Sequence, residues 1–520
     1  MAASMDNMLR LFVRFKGRSL PKNTIEFNAA VNFHRRMSMV VKHETKGDDS
    51  IADLKSFRKH PGIVQPKTVR LPANLCKNVN QYLADKPVNR LKPSAATLTN
   101  YLWKRCRPLE EADLREKAKE LATLQGIEDI DEEMMRSKDL PKESKKKMAS
   151  VMKNLRSHIY HWKPITYDET TACTYVLSRI APNYGITYSV LQEIKKRVPD
   201  FSPQTLLDFG SGTGTVTWAV HSLWGDTVNE YYCVDTSRVM HKIAETLMTS
   251  TAEEEHTIPL QKVYFRHFLP MSLQKRYDLT VSAYSLMELP CKEDRLNTLR
   301  TLWNKTEQFL VLVECGTNEG YKTILEARDF ILTEMDKEER KGKVHGGNVD
   351  RNATLDPVGE TEASQNQRAA VGHVFAPCPH DLACPRLTDS SNTPCNFEQS
   401  FHGFTKQGNA SETSTERYCY LVLRKGLRHP GESGHWPRFV RPVLSRSRHV
   451  VCRLCCSDGQ LQDTVITRAK HGRELYRCAR HSRWGDLLPV SNRQEGEVIG
   501  QESDLDSDSD QFGSDDSETN

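Results

Sequence analysis

The sequence predicts an α/β protein built on a parallel, doubly wound sheet, with a helical region before it and a small β-rich, cysteine-containing lobe after it. Three observations predict this. Strand-like and helix-like segments alternate between about residues 165 and 330. One of those strands runs directly into a glycine-rich turn. The segment 427–490 is basic and strand-rich, and it carries four of the fourteen cysteines.

The N-terminus reads MLRLFVRFKGRSLPKN from Met8, with Arg10, Arg14, Lys16, Arg18 and Lys22 interleaved among apolar residues. Asp6 is the only acid before Glu26. A basic, amphipathic start poor in acids has the character of a mitochondrial transit peptide, so residues 1–45 are expected to be targeting sequence and linker. Residues 50–160 are mostly helical in pattern, with breaks expected near Pro61, Pro72, Pro93 and Pro141. Lys145, Lys146, Lys147, Lys153 and Arg156 lie on an expected basic helix over 138–156.

Thr171–Ile180 and Ser189–Arg197 then read as two helices. Strands are expected at Thr205–Phe209, Tyr231–Val234, Lys262–Phe265, Leu279–Ala283 and Phe309–Val313. Helices are expected at Thr217–Leu223, Lys292–Trp303 and Tyr321–Leu332. Arg417–Leu423 is a further strand that completes the sheet. The expected organisation is a core domain over 165–426, with a polar insertion at 335–372 and a cysteine loop at 373–400. A lobe at 427–490 and a disordered acidic tail at 491–520 follow.

The chain has 520 residues, 27% of them charged, and a mean hydropathy of −0.61. Its formal charge of +5 hides an asymmetry, because residues 501–520 carry eight acids and no Lys or Arg, leaving +13 on the rest. A basic body of this kind favours a polyanionic partner such as RNA. No apolar run approaches the roughly 20 residues that a membrane-spanning helix needs, so no membrane insertion is expected. The scattered cysteines favour a reducing compartment, with thiols that are buried or bind metal.

The sharpest motif is LLDFGSGTGTVTWAV, residues 206–220, which gives D-x-G-x-G-x-G between a strand and a helix. Glycines there allow a tight turn and close approach to a ligand, beside the free N–H groups of a helix start. The spacing resembles motif I of class I S-adenosylmethionine-dependent methyltransferases. In that family the loop faces the amino-acid end of the cofactor, and an acid after the next strand bonds the ribose. The implied cofactor-binding set is Asp208, Gly210, Ser211, Gly212, Gly214 and Asp235. The fold class is therefore a class I Rossmann-like methyltransferase fold. After the fourth strand, SAYSLMELP (282–290) offers Tyr284 and Glu288 but no Pro-Pro motif. Pro290-Cys291 only superficially resembles a nucleophile motif, so no catalytic residue is assigned.

VFAPCPHDLACPRL places Cys378 and Cys384 in a proline-rich turn with five residues between them, and Cys395 follows. Cys452, Cys455, Cys456 and Cys478 come later. Thiols gathered in a reducing compartment usually mean metal. Two chemistries remain open on spacing alone. Four thiolates can hold an iron–sulfur cluster. Alternatively Cys452-x-x-Cys455 and Cys478-x-x-His481 have zinc-ribbon spacing.

The segments TYVLSRIAPNYG (174–185), LLDFGSGTGT (206–215), LVECGTNEGYKTILEAR (312–328), APCPHDLACP (376–385) and CRLCC (452–456) together resemble the mitochondrial small-ribosomal-subunit methyltransferase-like family. The resemblance runs from about 160 to 490. It implies a matrix protein that binds the maturing mitochondrial small ribosomal subunit, rRNA and ribosomal proteins included, and acts there as a monomer. It also implies an inactive methyltransferase that keeps S-adenosyl-L-methionine binding and carries a 4Fe–4S cluster. Carried over residue by residue, the cluster ligands fall on Cys378, Cys384, Cys395 and Cys455. The basic residues Arg438, Arg441, Arg446 and Arg448 are expected to meet rRNA phosphates. The alternative is an active S-adenosylmethionine-dependent rRNA methyltransferase of the same subunit.

Overall fold

The computed structural model describes residues 57–124, 162–249, 262–270, 274–335, 372–403, 413–428 and 435–489, short of a few single positions, with some further residues between 146 and 155. The expected transit peptide, most of the 138–156 helix, the body of the 335–372 insertion and the acidic tail lie outside the described residues.

The chain enters the fold through strand β1 (Thr68–Val69) and helices α1 (Ala73–Tyr82), α2 (Val88–Trp103) and α3 (Glu111–Thr123). Pro72 starts α1 as the pattern predicts, but Pro93 lies inside α2 and does not break it. Leu91 of this helix joins the core. Strand β1 has no counterpart in the sequence reading. It pairs in parallel with the edge of the main sheet, Thr68 opposite Ser400.

Helix α4 (Glu169–Arg197) is one continuous helix of 29 residues where the sequence predicts two. Asp168 caps it, accepting from Thr171 N at 2.7 Å. Pro182 and Gly185 look like breakers, yet residues Ala181 to Ile186 are all buried. A Cβ on Gly185 would lie 3.1 Å from the Cβ of Phe401 and 3.7 Å from that of Val69. The glycine lets two edge strands press onto the helix. Burial of that face outweighs a proline cost of about 3 kcal/mol.

The doubly wound core follows as β2 (Thr205–Phe209), α5 (Thr215–Trp224), β3 (Glu230–Val234), α6 (Arg238–Met248), β4 (Val263–Arg266), β5 (Tyr277–Ala283), α7 (Lys292–Lys305), β6 (Thr306–Cys315) and α8 (Asn318–Asp329). Strands β4, β3, β2, β5 and β6 lie side by side in parallel. The run Phe309–Val313 is apolar at every position because both faces are covered. Phe309, Val311 and Val313 face the layer of α4, α5 and α6, while Leu310 and Leu312 face α7 and α8.

Three later strands extend this sheet: β7 (Gly372–Ala376), β8 (Phe397–His402) and β9 (Thr413–Lys425). Strand β9 pairs antiparallel with β6, so the segment read as completing the sheet does so. On its far side β9 carries β7 over Val422–Lys425 and β8 over Thr413–Tyr418. One edge position is thus filled in two pieces, and residues 377–396 leave the sheet between them. Cys378, Cys384 and Cys395 all lie on that excursion. The parallel centre with one antiparallel strand inserted near its edge is the expected Rossmann-like α/β class.

The lobe is a second sheet of β10 (Arg438–Phe439), β11 (Leu444–Ser445), β12 (His449–Cys455) and β13 (Leu461–Thr467), backed by α9 (Arg468–His481). Its core is Phe439, Val450, Cys452, Leu454, Cys456, Ile466 and Leu475. The lobe is tied to the N-terminal segment through Leu487 N to Gly62 O at 2.8 Å and Val64 N to Asp486 Oδ1 at 3.1 Å.

Candidate functional site

The glycine turn sits where the sheet's strands end and α5 begins. Gly210, Gly212 and Gly214 all have positive φ, at 71°, 51° and 78°. Two of them serve packing. A Cβ on Gly210 would fall 1.8 Å from Ser285 Oγ, and one on Gly214 would fall 2.1 Å from Met248 Cε. Gly212 is different, since its Cβ would meet nothing nearer than Met240 Cε at 3.7 Å. Only there does the loop leave room for a ligand.

Asp208 at the end of β2 is fully buried. Its Oδ2 accepts from Thr217 Oγ1 at 3.1 Å, and burial pushes the carboxyl up to about 7. Oδ1 has no partner among the described residues, nor do the buried hydroxyls of Ser211 and Thr213. Such orphaned groups call for an unseen partner. A ligand carrying an ammonium and a carboxylate, like the amino-acid end of S-adenosylmethionine, has the donors and acceptors to satisfy them. Asp235, expected to bond a ribose, accepts from Gly212 N at 2.9 Å and Ser237 N at 2.8 Å. It braces the loop and retains spare lone pairs.

Past the turn, Tyr284 adopts φ +59°, rare for a side chain of its size, and its buried hydroxyl has no partner among the described residues. The cavity beside it measures about 40 Å³ and is lined in part by Arg105, Tyr167, Arg179 and Glu314. Arg105, itself buried, pairs with Glu288 at 2.8 Å, and both line the cavity. Burial raises the Glu314 carboxyl to about 8, while it accepts from Leu286 N and Met287 N. Cys291 caps α7, its sulfur accepting from Asp294 N at 3.4 Å.

The second cluster forms where the 377–396 excursion meets β12. Burial raises the Cys378 thiol to about 11, and Cys384 beside it adds to the shift. Cys395 is likewise raised, first by burial and then by Cys384 and Cys378. Cys455 is raised by burial and then by Cys378, Cys395 and Cys384. The fold therefore brings Cys378, Cys384, Cys395 and Cys455 within electrostatic reach of one another. Cys452 does not join them. On a strand, positions i and i+3 face opposite sides, so Cys452 enters the lobe's apolar core while Cys455 faces the excursion. Cys456 and Cys478 are also buried in the lobe, and His481 Nδ1 bonds Arg477 O. The two zinc-ribbon pairs are not assembled.

Among the described residues no three or more His, Cys, Asp or Glu converge closely enough for a single metal ion. A tetrahedral zinc site would hold its sulfurs about 4 Å apart, whereas a four-iron cluster spaces its thiolates more widely. Sequence reasoning missed the side chains around these thiols. Tyr321 donates its hydroxyl proton to Cys384 Sγ at 3.3 Å, and His380 Nε2 lies 3.4 Å from Cys455 Sγ. Three buried arginines, Arg328, Arg386 and Arg438, flank the site, and each keeps an Nε–H without an acceptor among the described residues. Four thiols with cations and idle donors around them suit an anionic group. The only hints in sequence were the positions of His380, Arg386 and Tyr321 inside or next to the cysteine and LVECGTNEGYKT segments.

The expected RNA-facing residues divide. Arg438 is 1% exposed and bonds Glu193, Tyr420 and the Gly485 carbonyl, so it is unavailable to a phosphate. Arg441 is half-buried and donates to Thr393. Arg446 and Arg448 are exposed, in the turn between β11 and β12. Next to them, α9 exposes Arg468, Lys470, Arg473 and Arg480, and Arg480 donates to the Arg446 carbonyl at 2.8 Å.

A family model described as mitochondrial small ribosomal subunit Rsm22 matches residues 169–344 and 360–489. The chain is 40% identical over 459 residues to the ribosome assembly protein METTL17, mitochondrial, of Homo sapiens, covering 88% of this chain and 91% of that one. It is 24% identical to the ribosome assembly protein RSM22, mitochondrial, of Saccharomyces cerevisiae, over 63% of this chain and 68% of that one. Among solved structures it is similar to the magnesium protoporphyrin IX methyltransferase of Synechocystis PCC 6803, at 12% identity, 51% and 90% coverage and a TM-score of 0.24.

Proposed function

The chain belongs to the mitochondrial small ribosomal subunit Rsm22 family, and from that premise we propose that it is an assembly factor that binds the rRNA of the mitochondrial small subunit in the matrix. It acts there as a monomer, keeps a site for S-adenosyl-L-methionine and carries a 4Fe–4S cluster without transferring methyl groups. The observation that carries the reading is that Cys378, Cys384 and Cys395, on one excursion, lie within electrostatic reach of Cys455 on β12 and of buried arginines.

Those four cysteines would hold the cluster, and a bound cluster supplies a rigid covalent joint between the excursion and the lobe. Gly212, Ser211 and Asp208 would receive the amino-acid end of S-adenosylmethionine, with Gly210, Gly214 and Asp235 shaping and bracing the turn. The cofactor carries an electrophilic methyl group. On the acceptor side the cavity of about 40 Å³ has room for a water or two rather than a base. The Arg105–Glu288 pair lines it. That small volume supports cofactor binding without turnover.

The exposed cations Arg446, Arg448, Arg468, Arg473 and Arg480 form the surface suited to an RNA backbone. The cluster, by holding the lobe, would hold that surface in place. Anaerobic purification tests the reading. The chain is expected to show the broad visible absorbance of an iron–sulfur chromophore, with stoichiometric iron and sulfide, and to lose small-subunit rRNA binding when the chromophore is bleached. A colourless protein loaded with zinc would falsify it.

A further inference from the structure

The strongest unabsorbed feature is a repeated arrangement of three arginines around the four thiols. Arg328 comes from α8, Arg386 from the turn after Cys384, and Arg438 from β10. They are 4%, 5% and 1% exposed. Each is tied to the site by geometry. Arg328 donates to the carbonyls of His380 and Leu382, within the loop between Cys378 and Cys384. Arg386 stands two residues past Cys384 and donates to Asp389 and to the Val440 carbonyl. Arg438 lies directly opposite Cys455 in the β10–β12 ladder, where side chains share one face about 5 Å apart.

In all three the terminal nitrogens are occupied and Nε–H is idle. The terminal NH groups of Arg438 are held by Glu193, Tyr420 and Gly485, and those of Arg386 by Asp389, Thr393 and Val440. Each guanidinium is therefore fixed in position with one donor left over. Buried donors without acceptors, and buried cations that are only partly paired, are costly. The carboxylates present offset the charge only in part, since Asp329, the partner of Arg328, is 52% exposed.

We infer that Arg328, Arg386 and Arg438 form a cationic cage that holds a thiolate-ligated iron–sulfur cluster and raises its reduction potential. This rests on the cluster reading above. With four thiolates the oxidised 4Fe–4S cluster is a dianion, and one added electron makes it a trianion. Fixed positive charge and N–H donors stabilise the trianion more than the dianion, which shifts the potential upward. Arg328 and Arg386 also bond the backbone on which the ligands stand, so they position the thiolates as well as counter their charge.

The test is a redox titration of the full chain, purified and reconstituted anaerobically, with dithionite as reductant and the electron paramagnetic resonance of the reduced cluster as readout. Arg386→Gln and Arg328→Gln are each expected to move the midpoint to more negative potential, and the double variant further. Arg386→Lys should fall between Arg386→Gln and the parent protein, because it keeps the charge and loses the fixed donor. Exposed Arg448→Gln should leave the midpoint where it was. Where a Gln variant sheds its iron and sulfide while keeping its far-ultraviolet circular dichroism, retention in the Lys variant supports the cage, and equal loss in both overturns it. Unchanged midpoints in fully loaded Gln variants also overturn it. A parent protein that binds no iron or sulfide would remove the cluster reading itself, and the cage with it.

Discussion

Glu193 of α4 and Arg438 of β10, 245 residues apart in the chain, meet at 2.5 Å with both side chains almost wholly out of solvent. Burial alone would raise the Glu193 carboxyl, but Arg438 and Arg197 on either side hold it below its ordinary value. Tyr420 donates to the same carboxylate at 2.9 Å. The lobe is thus locked to the longest helix of the core by a charge network, next to the thiols it shares with the excursion.

Arg438→Met strips one cation from that network and leaves Glu193 dependent on Arg197. Breaking a buried pair from one side costs about 3–5 kcal/mol. Urea unfolding should report a loss of that order. A loss under about 1 kcal/mol would mean the pair contributes no more than a surface bridge.

Asp208 makes stability fall with rising pH. Its folded-state value of about 7 stands above the ordinary 3.8, so between them the folded chain binds a proton that the unfolded chain does not. Its stabilising contribution is complete below the ordinary value and is lost as pH rises through about 7. Asp208→Asn mimics the protonated acid at every pH. Without cofactor, the variant's stability relative to the parent should climb from about pH 4 to about pH 7 and level off above it, by on the order of a few kcal/mol at about 1.4 kcal/mol per unit. A difference that stays flat over that range rules the assignment out.

Gly210 and Gly212 separate packing from binding. Gly210→Ala drives a methyl group into Ser285 in addition to the roughly 1–2 kcal/mol of left-handed strain. Gly212→Ala meets only the strain. Thermal unfolding should show the larger loss for Gly210→Ala. Calorimetric titration with S-adenosylmethionine should show Gly212→Ala losing affinity although it remains folded at the assay temperature. Unimpaired binding by Gly212→Ala would place the ligand elsewhere.

Cys452 and Cys455 are three residues apart and should behave oppositely. Cys455→Ser is expected to bleach the chromophore, and Cys452→Ser to cost core stability while keeping iron. Equal iron loss in both variants, or iron kept in Cys455→Ser, would overturn Cys455 as the lobe's single ligand.

Charge removal on the lobe should weaken RNA binding without touching specificity. Replacing Arg446, Arg448, Arg468 and Arg473 with Gln should lower the slope of log affinity against log salt by about 0.7–0.9 for each phosphate that is no longer neutralised. An unchanged slope would move the RNA to another face.

Much of the core was legible because its signals are local. The apolar run Phe309–Val313 records a strand covered on both faces, and positive φ at Gly210, Gly212 and Gly214 records a turn that side chains with a Cβ resist. Even the separation of Cys452 from Cys455 is implicit in the two-residue period of a strand, once β12 is known to be one. Pro182 misled, because a helix breaker is judged by its neighbours in sequence while Phe401 and Val69 pack there from far along the chain.

By itself, then, the sequence determined the alternation of elements, the glycine turn and the inventory of thiols, since backbone sterics and side-chain periodicity act between near neighbours. Only the tertiary structure decided that a split edge strand throws three cysteines toward a fourth. It likewise decided that Arg438 turns inward to Glu193 rather than outward to a phosphate. Those outcomes depend on burial and on meetings across hundreds of residues, and no local pattern carries the free energy of bringing such distant groups together.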